Sequence, residues 1–414
     1  MNLTKPLKRL KKYYVIFINP RLKSWVNGIY KKNRTVSTVS ITFILFFLLC
    51  NTNFGQTALF DSLINSGINQ IYSLQFEQAD STFQILNAEF PDHPATKFFP
   101  AMITWWKIMV DLDNEEYDDL FLDQLEETID FCNKILKKNP NNIDAIFFKG
   151  GSLGFRGRLY SIREDWLDAA ADGKDALPLV YRAYALDSTN VDVQLGFGIY
   201  NYYADVIPER YPFIKPIMFF FPKGDKEKGL LQLKNAAENG KYTRIESKFF
   251  LLTLYYKFEE DNNTALHYAE ELTQQFPYNP TFQKYYARIL RRLSEITKST
   301  EEFEKMYERC ENNTRGYNDK IKREASYYIA DKFWRQADFE NAIKYYKECS
   351  QLSISFDQED DGFNVVSLLQ LGKIYDILGK RDKAKYYYEE VLDLDDYNDS
   401  HEKAEKYLET QFIR

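Results

Sequence analysis

The sequence is short of the side chains on which most catalytic and metal sites depend. It has four cysteines and three histidines among 414 residues. The cysteines form no Cys-x-x-Cys pair, and the histidines lie too far apart in the chain to be expected at one metal or catalytic centre. We therefore predict free thiols, no metal site, no cofactor and no enzymatic activity. The residues concerned are Cys50, Cys132, Cys310, Cys349, His93, His267 and His401.

Acidic residues are missing from the first 55 positions, which carry ten lysines or arginines. Without this segment the chain has 44 basic and 61 acidic residues, a net charge of −17. A protein this acidic repels a phosphate backbone. We therefore do not expect nucleic acid to be a partner.

A long apolar run is also missing. The most apolar stretch, Val36–Cys50, has a core of about ten residues, which is too short to span a membrane comfortably. The basic residues before it and the small Gly55 after it match a secretory signal. We predict that residues 1–55 are a basic leader with a signal at about 36–55, and that the protein is exported to the periplasm or cell envelope. Two alternatives remain open, an uncleaved membrane anchor and lipid attachment at Cys50.

The clearest positive pattern runs from Leu368 to Val391. Apolar residues recur three and four positions apart and form one stripe on each of two predicted helices. Small residues at Gly372 and Ala384 allow these helices to approach closely, and Gly379 closes the turn between them. The stretch resembles a tetratricopeptide repeat, whose signature contains Leu-Gly-x2-Tyr and Ala-x3-aromatic at these offsets. Because a single hairpin cannot bury both stripes, the resemblance implies a stack of hairpins.

Further positions resemble the same repeat along the chain. The small or equivalent residue of the second helix recurs 48 to 53 residues apart in the first half and 36 to 42 residues apart in the second. We predict an all-α fold, a right-handed α-solenoid of about eight such hairpins, divergent over residues 56–240 and regular over 241–414. A capping helix is predicted at His401–Phe412. The recurring positions are Ala79, Thr128, Ala176, Gly229, Ala265, Glu302, Ala342 and Ala384.

Three stretches interrupt the pattern. Ile207–Lys223 has four prolines and five aromatic residues, so we predict a loop without regular helix. It either folds back onto the superhelix, where it could fill the groove, or contacts a partner or membrane. Phe155–Ala171 is predicted as an insertion. The acidic connection Asp111–Asp119 begins like an EF-hand loop but lacks the glycine at the sixth position, which favours a solvated loop over a calcium site.

In tetratricopeptide repeats, fixed positions of the first helix of each hairpin line a concave face. The resemblance therefore implies a groove that mixes aromatic and charged side chains, a composition that protein interfaces favour. A carboxylate-binding clamp would require a lysine and an asparagine where Tyr327 and Asp331 stand. We therefore do not expect a ligand that such a clamp would bind through its carboxylate. The predicted partner-binding residues are Tyr202, Tyr203, Lys257, Phe258, Tyr327, Asp331, Trp334, Arg335, Lys373 and Asp376.

These observations favour a non-enzymatic scaffold that binds a protein or peptide in its concave groove at the cell envelope, with possible membrane association through the first 55 residues. The alternative is a surface glycan-binding helical-repeat lipoprotein. The alternative requires acylation at Cys50 and aromatic rings that lie flat on the surface, whereas the scaffold requires neither.

Overall fold

The computed structural model describes residues 57–212, 215–219, 221–356 and 362–414, and these contain helices and no strand. The predicted leader, with Cys50, lies outside them. Two compact units are present, Met1–Ser62 and Leu63–Arg414. In the first unit, the described residues 57–62 are helical. None of the helices in the described residues has the length and apolar character needed to cross a membrane.

The second unit consists of consecutive helices, which we number in chain order. They are α1 (residues 63–72), α2 (Phe76–Glu89), α3 (Ala95–Val110), α4 (Asp118–Lys138), α5 (Ile143–Ile162), α6 (Trp166–Leu186), α7 (Val193–Arg210), α8 (Lys215–Met218), α9 (Lys226–Asn239), α10 (Arg244–Lys257), α11 (Asn262–Gln275), α12 (Pro280–Arg292), α13 (Ile296–Glu311), α14 (Asp319–Arg335), α15 (Phe339–Ile354), α16 (Phe363–Ile377), α17 (Arg381–Leu392) and α18 (Ser400–Glu409).

Neighbouring helices pair as hairpins, each with a first helix A and a second helix B. Hairpins 1 to 3 are α1–α2, α3–α4 and α5–α6, hairpin 4 is α7 and α9, and hairpins 5 to 8 are α10–α11, α12–α13, α14–α15 and α16–α17. Helix α18 packs on the last hairpin. The prediction of an all-α solenoid of helical hairpins is confirmed. Of the recurring helix B positions, all except Glu302 are buried.

The packing of hairpin 8 follows the sequence pattern. Ala384 and Tyr388 are completely buried on α17. A Cβ atom on Gly372 of α16 would lie 2.4 Å from the ring of Tyr388, so only glycine allows the two helices to come this close. Gly379 adopts a φ of +71° in the turn, a conformation that favours glycine. The small residues therefore determine the distance between the helices, as predicted.

Two predicted interruptions contain α-helix in their described residues. The insertion Phe155–Ala171 instead lengthens α5 and α6, which are separated by a short turn at residues 163–165. The prediction that prolines exclude helix from residue 207 onward is wrong for 207–210, because Pro208 lies in the last turn of α7. Pro216 is the second residue of α8, where the missing N–H is no loss. In the same region Phe219 is 84% exposed.

Gly229 offers a direct test of the hairpin geometry. A Cβ atom there would lie 2.7 Å from the backbone nitrogen of Tyr202 and 2.9 Å from the carbonyl oxygen of Gly198. Because backbone atoms cannot rotate out of the way, we expect Gly229→Ala to lower the free energy of unfolding by about 1 to 3 kcal/mol. Urea denaturation followed by circular dichroism measures the change.

Gly173 provides the matched control, since it also lies inside a helix but nothing is within 4 Å of its built Cβ. Gly173→Ala should leave stability unchanged or raise it by roughly 0.5 to 1 kcal/mol, because alanine loses less conformational entropy in a helix. Equal effects at the two positions would contradict the assigned crossing of α7 and α9.

Candidate binding groove

The helix A faces of hairpins 5 and 6 are covered by hairpins 1 to 3. Trp106 of α3 is 1% exposed, and its ring centroid lies 4.7 Å from that of Tyr72, 5.7 Å from that of Phe249 and 5.3 Å from that of Phe282. The Thr281 hydroxyl also donates to the Met109 carbonyl at 3.2 Å. Helix α3 therefore packs across α10 and α12. No described residue of 207–223 takes part in these contacts.

A buried ion pair accompanies this packing. The Arg158 guanidinium of α5 is paired with the Glu246 carboxylate of α10, and Tyr72 donates to the same carboxylate at 2.8 Å. The guanidinium lies over the rings of Trp105 and Phe250, 4.8 Å and 4.4 Å from their centroids. Phe250 lies on α10, the first helix of hairpin 5, and Arg158 covers its ring. The middle of the groove is thus closed by the chain itself.

The acidic connection after α3 also takes part in this closure. The ammonium of Lys320 in α14 lies 2.8 Å from an Asp111 oxygen and 2.7 Å from an Asp113 oxygen. These two carboxylates therefore form ion pairs with a lysine. Across the described residues, no group of three or more histidine, cysteine, aspartate or glutamate side chains could hold a metal ion.

Four of the predicted groove residues meet between hairpins 4 and 5. Tyr202 is completely buried and donates to Glu259 at 2.6 Å. Tyr203 packs on Phe258, with ring centroids 5.9 Å apart, and burial raises the pKa of Tyr203 to about 12. Lys257 is exposed. Most of this group is therefore committed to internal contacts, and its role in binding stays a prediction.

The other six predicted residues lie on α14 and α16. Tyr327 is partly buried among aromatic rings, and burial raises its pKa to about 12. Asp331 is buried and paired with Arg291 and with the exposed Arg335, whose Nε lies 2.8 Å away. Trp334 is partly buried beside Phe339, with ring centroids 5.8 Å apart. Helix α14 thus presents an aromatic ring and a cation side by side.

Helix α16 contributes Lys373 and Asp376. Burial lowers the pKa of the partly buried Lys373. Asp376 has no exposed surface, accepts two hydrogen bonds from Arg381 at 2.9 Å and one from the Tyr388 hydroxyl at 3.0 Å. Because these contacts fix its carboxylate, Asp376 cannot swing out to meet a partner side chain. We call the surface formed by Asp331, Trp334, Arg335, Lys373 and Asp376 the α14/α16 groove.

The last residues of the sequence lie in this groove. The predicted capping helix ends at Glu409, three residues earlier than expected, and Thr410, the next residue, has extended backbone angles. The backbone N–H of Phe412 donates to Asp376 at 2.9 Å. The Arg414 guanidinium lies over the Trp334 ring, 4.9 Å from its centroid. We call residues 410–414 the terminal segment.

Sequence reasoning missed two parts of this arrangement and one motif. Arg381 and the terminal segment carried no repeat signature, and only an aromatic and a basic residue after the capping helix hinted at the latter. Gly150-x-Ser152-x-Gly154 has the spacing of a nucleophile elbow, which requires a strand-to-helix turn. Ser152 lies inside α5, is completely buried and donates to the Phe148 carbonyl at 2.8 Å. It is therefore a packing residue.

A surface cavity of about 280 Å³ lies between α15, α16 and α17. The rings of Tyr375 and Tyr387 stack there with centroids 5.4 Å apart and planes 1° from parallel. Tyr386 is 53% exposed at the rim. This cavity combines aromatic faces with charged groups, and its lining consists of Lys347, Tyr375, Asp382, Lys383, Tyr386 and Tyr387.

The hairpins and their glycine and alanine crossings define an all-helical protein built of repeated helical hairpins, the architecture that the tetratricopeptide resemblance implies. No family model and no curated protein matches the chain. Among solved structures it is similar to Pseudomonas aeruginosa PilF, with 15% identity and a TM-score of 0.41 over 63% of this chain and 97% of that one.

Two further structures show the same order of similarity. The C-terminal part of a TPR repeat-containing protein from Cytophaga hutchinsonii is 15% identical, with a TM-score of 0.33 over 71% of this chain and 96% of that one. A human IFIT1 dimer with m7Gppp-AAAA is 15% identical, with a TM-score of 0.37 over 77% of this chain and 68% of that one. The assignment to the helical-repeat class rests on the hairpins of this chain.

Proposed function

We propose that this protein is a non-enzymatic scaffold that binds a protein or peptide partner in the α14/α16 groove at the cell envelope. The observation that supports the proposal most directly is the terminal segment, a non-helical stretch of chain that already lies in the groove. The middle of the helix A face is closed by α3 and α5, which leaves the last two hairpins as the part suited to a partner. The envelope location rests on the predicted leader.

The chemistry of the groove fits a peptide. Trp334 and the exposed Arg335 offer an aromatic face beside a cation, the residue types that dominate binding energy at protein interfaces. The buried acids Asp331 and Asp376 are paired with arginines, so neither leaves an uncompensated carboxylate in the groove. The expectation that nucleic acid is not bound rests on the net charge of −17 and stays a prediction.

The double variant Trp334→Ala, Arg335→Ala tests the proposal. Tagged protein is used to recover partners from the native envelope fraction, with quantification by mass spectrometry. We expect the specific partner to be recovered at least tenfold less, which corresponds to about 1.4 kcal/mol or more of binding free energy. Circular dichroism and thermal unfolding first establish that the variant folds, and Arg335→Ala alone serves if it does not.

A matched control removes the same kinds of side chain elsewhere. Tyr386 and Lys385 are an exposed aromatic and an exposed cation on helix B of hairpin 8, and their double alanine variant should retain the partner. Equal recovery with the groove variant and with wild type would show that the α14/α16 groove does not bind the partner.

The second candidate function is glycan binding at the tyrosine-lined cavity. The stacked pair Tyr375 and Tyr387 and the exposed Tyr386 favour it, because aromatic faces beside polar groups suit a sugar ring. The control variant distinguishes the two candidates. A glycan ligand would be lost with Tyr386→Ala, Lys385→Ala and kept with the groove variant, which is the reverse of the result expected for a peptide.

A further inference from the structure

The terminal segment is held in the manner of a peptide ligand. Its first residue, Thr410, has extended backbone angles of −124° and 123°. Gln411, Ile413 and Arg414 are exposed, Ile413 by 85%, and only Phe412 is partly buried. The segment therefore contributes little to the apolar core. A few specific contacts hold it in place.

The first set of contacts is made with Asp376, by one backbone N–H and one side chain of the segment. The Phe412 N–H donates to an Asp376 carboxylate oxygen at 2.9 Å, and the Gln411 side-chain amide donates to the Asp376 carbonyl at 2.7 Å. Arg381 and Tyr388 hold the carboxylate from the other side. Asp376 is thus a fixed, charged acceptor for a main-chain N–H, an interaction open to any non-proline residue.

The second set of contacts reads two side chains. The Phe412 ring lies 5.2 Å from the Tyr407 ring and 6.3 Å from the Trp334 ring, with the Lys373 ammonium 5.4 Å from its centroid. Arg414 lies over the opposite part of this aromatic group, 4.9 Å from the Trp334 centroid, and donates to the Arg335 carbonyl at 3.1 Å. A guanidinium on an indole ring is a favourable cation–π contact.

The two anchors, Phe412 and Arg414, lie two residues apart and both contact the Trp334 ring. This is the spacing at which the side chains of an extended chain point to the same side. The residue between them, Ile413, points away and is almost fully exposed. Besides the Gln411 side chain, which donates to the Asp376 carbonyl, the groove therefore contacts an aromatic residue and a basic residue with one exposed position between them.

We infer that the terminal segment is a built-in occupant of the α14/α16 groove, and that the partner is an extended peptide with an aromatic residue followed two positions later by arginine or lysine, which displaces it. This inference rests on the proposed function. The segment lowers the apparent affinity of the groove, because a partner binds only the fraction of molecules in which the groove is open.

The test uses full-length protein and a labelled peptide. The probe is Thr-Gln-Phe-Ile-Arg, acetylated and amidated so that only its internal groups are compared, and binding is followed by fluorescence anisotropy. The variant Phe412→Ala, Arg414→Ala removes the anchors of the terminal segment and opens the groove. We expect the peptide to bind this variant at least tenfold more tightly than wild type.

Peptide variants test the assigned anchors. Replacing the peptide phenylalanine by alanine or its arginine by glutamate should weaken binding to the open variant at least tenfold. Replacing the isoleucine by glutamine should change it less than threefold, because that position is not read. Adding Trp334→Ala to the open variant should abolish binding of the original peptide.

Each contrary outcome has a distinct meaning. A peptide that does not bind the open variant, or that binds it and wild type equally, overturns the inference. If the envelope partner depends on Trp334 and Arg335 but the peptide does not compete with it, the proposed function stands and the inference fails. If the peptide binds but no partner depends on the groove, the segment only stabilises the last hairpins of its own chain. The proposed function and the inference are then both wrong.

Discussion

Replacing Trp106 by alanine is expected to lower the free energy of unfolding by about 3 to 5 kcal/mol, the range for removing a large buried aromatic side chain. The indole is 1% exposed and lies among Tyr72, Phe249 and Phe282. It therefore joins hairpins 1 and 2 to hairpins 5 and 6. Urea unfolding monitored by circular dichroism measures the effect.

Trp166→Ala is the control for this experiment. Trp166 is a tryptophan at the first position of α6 and is partly exposed, so its removal should have a clearly smaller effect. Limited proteolysis provides a second comparison of the two variants. Hairpins 1 to 3 should be cleaved faster in Trp106→Ala and not in Trp166→Ala. Equal destabilisation by both variants would argue that the contact of α3 with α10 and α12 contributes little.

The ion pair between Arg158 and Glu246 gives the second large effect. Removing the cation alone, in Arg158→Met, leaves a carboxylate that is 5% exposed without its partner. Breaking a buried pair in this way typically lowers the free energy of unfolding by about 3 to 5 kcal/mol. The methionine thioether still packs on Trp105 and Phe250, so the loss reports mainly on the uncompensated charge.

Removing the whole polar group should restore most of that stability. In the triple variant Arg158→Met, Glu246→Leu, Tyr72→Phe no charge or hydroxyl is left without a partner. We expect its free energy of unfolding to lie within about 1 kcal/mol of the wild-type value or above it. Chemical denaturation of the single, double and triple variants gives the coupling energies. A triple variant as unstable as Arg158→Met would show that the ion pair itself, beyond its burial, stabilises the closed arrangement.

The hairpins could be predicted because their contacts are local. Gly372 faces Tyr388, and Gly198 faces Gly229, within single hairpins whose helices follow each other in the chain. Apolar residues that recur three and four positions apart place these contacts on one face of each helix, so the sequence pattern predicts them directly. The prediction failed for residues 207–210, where the rule that proline excludes a regular helix did not hold. Pro208 lies in the last turn of α7, where it removes the one hydrogen bond that its own N–H would have donated to the carbonyl of residue 204.

The candidate site could be predicted in part. The resemblance placed Trp334, Lys373 and Asp376 on adjacent first helices, and the structure brings them together around Phe412. That these residues bind a partner stays a prediction. Their exposure was not predictable from position in the repeat, because the burial of Asp376 depends on Arg381, Tyr388 and the terminal segment.

The sequence by itself determined the hairpins, their close crossings and the helix A faces, since each depends on residues a few positions or one hairpin apart. The tertiary structure alone decided which of these faces stay open. Tyr72 meets Glu246 across 174 residues, and Phe412 reaches back 36 residues to Asp376. The first contact depends on the small rotation that every intervening hairpin adds to the stack, and the second on how the terminal segment folds back onto the last hairpin. No residue period records either.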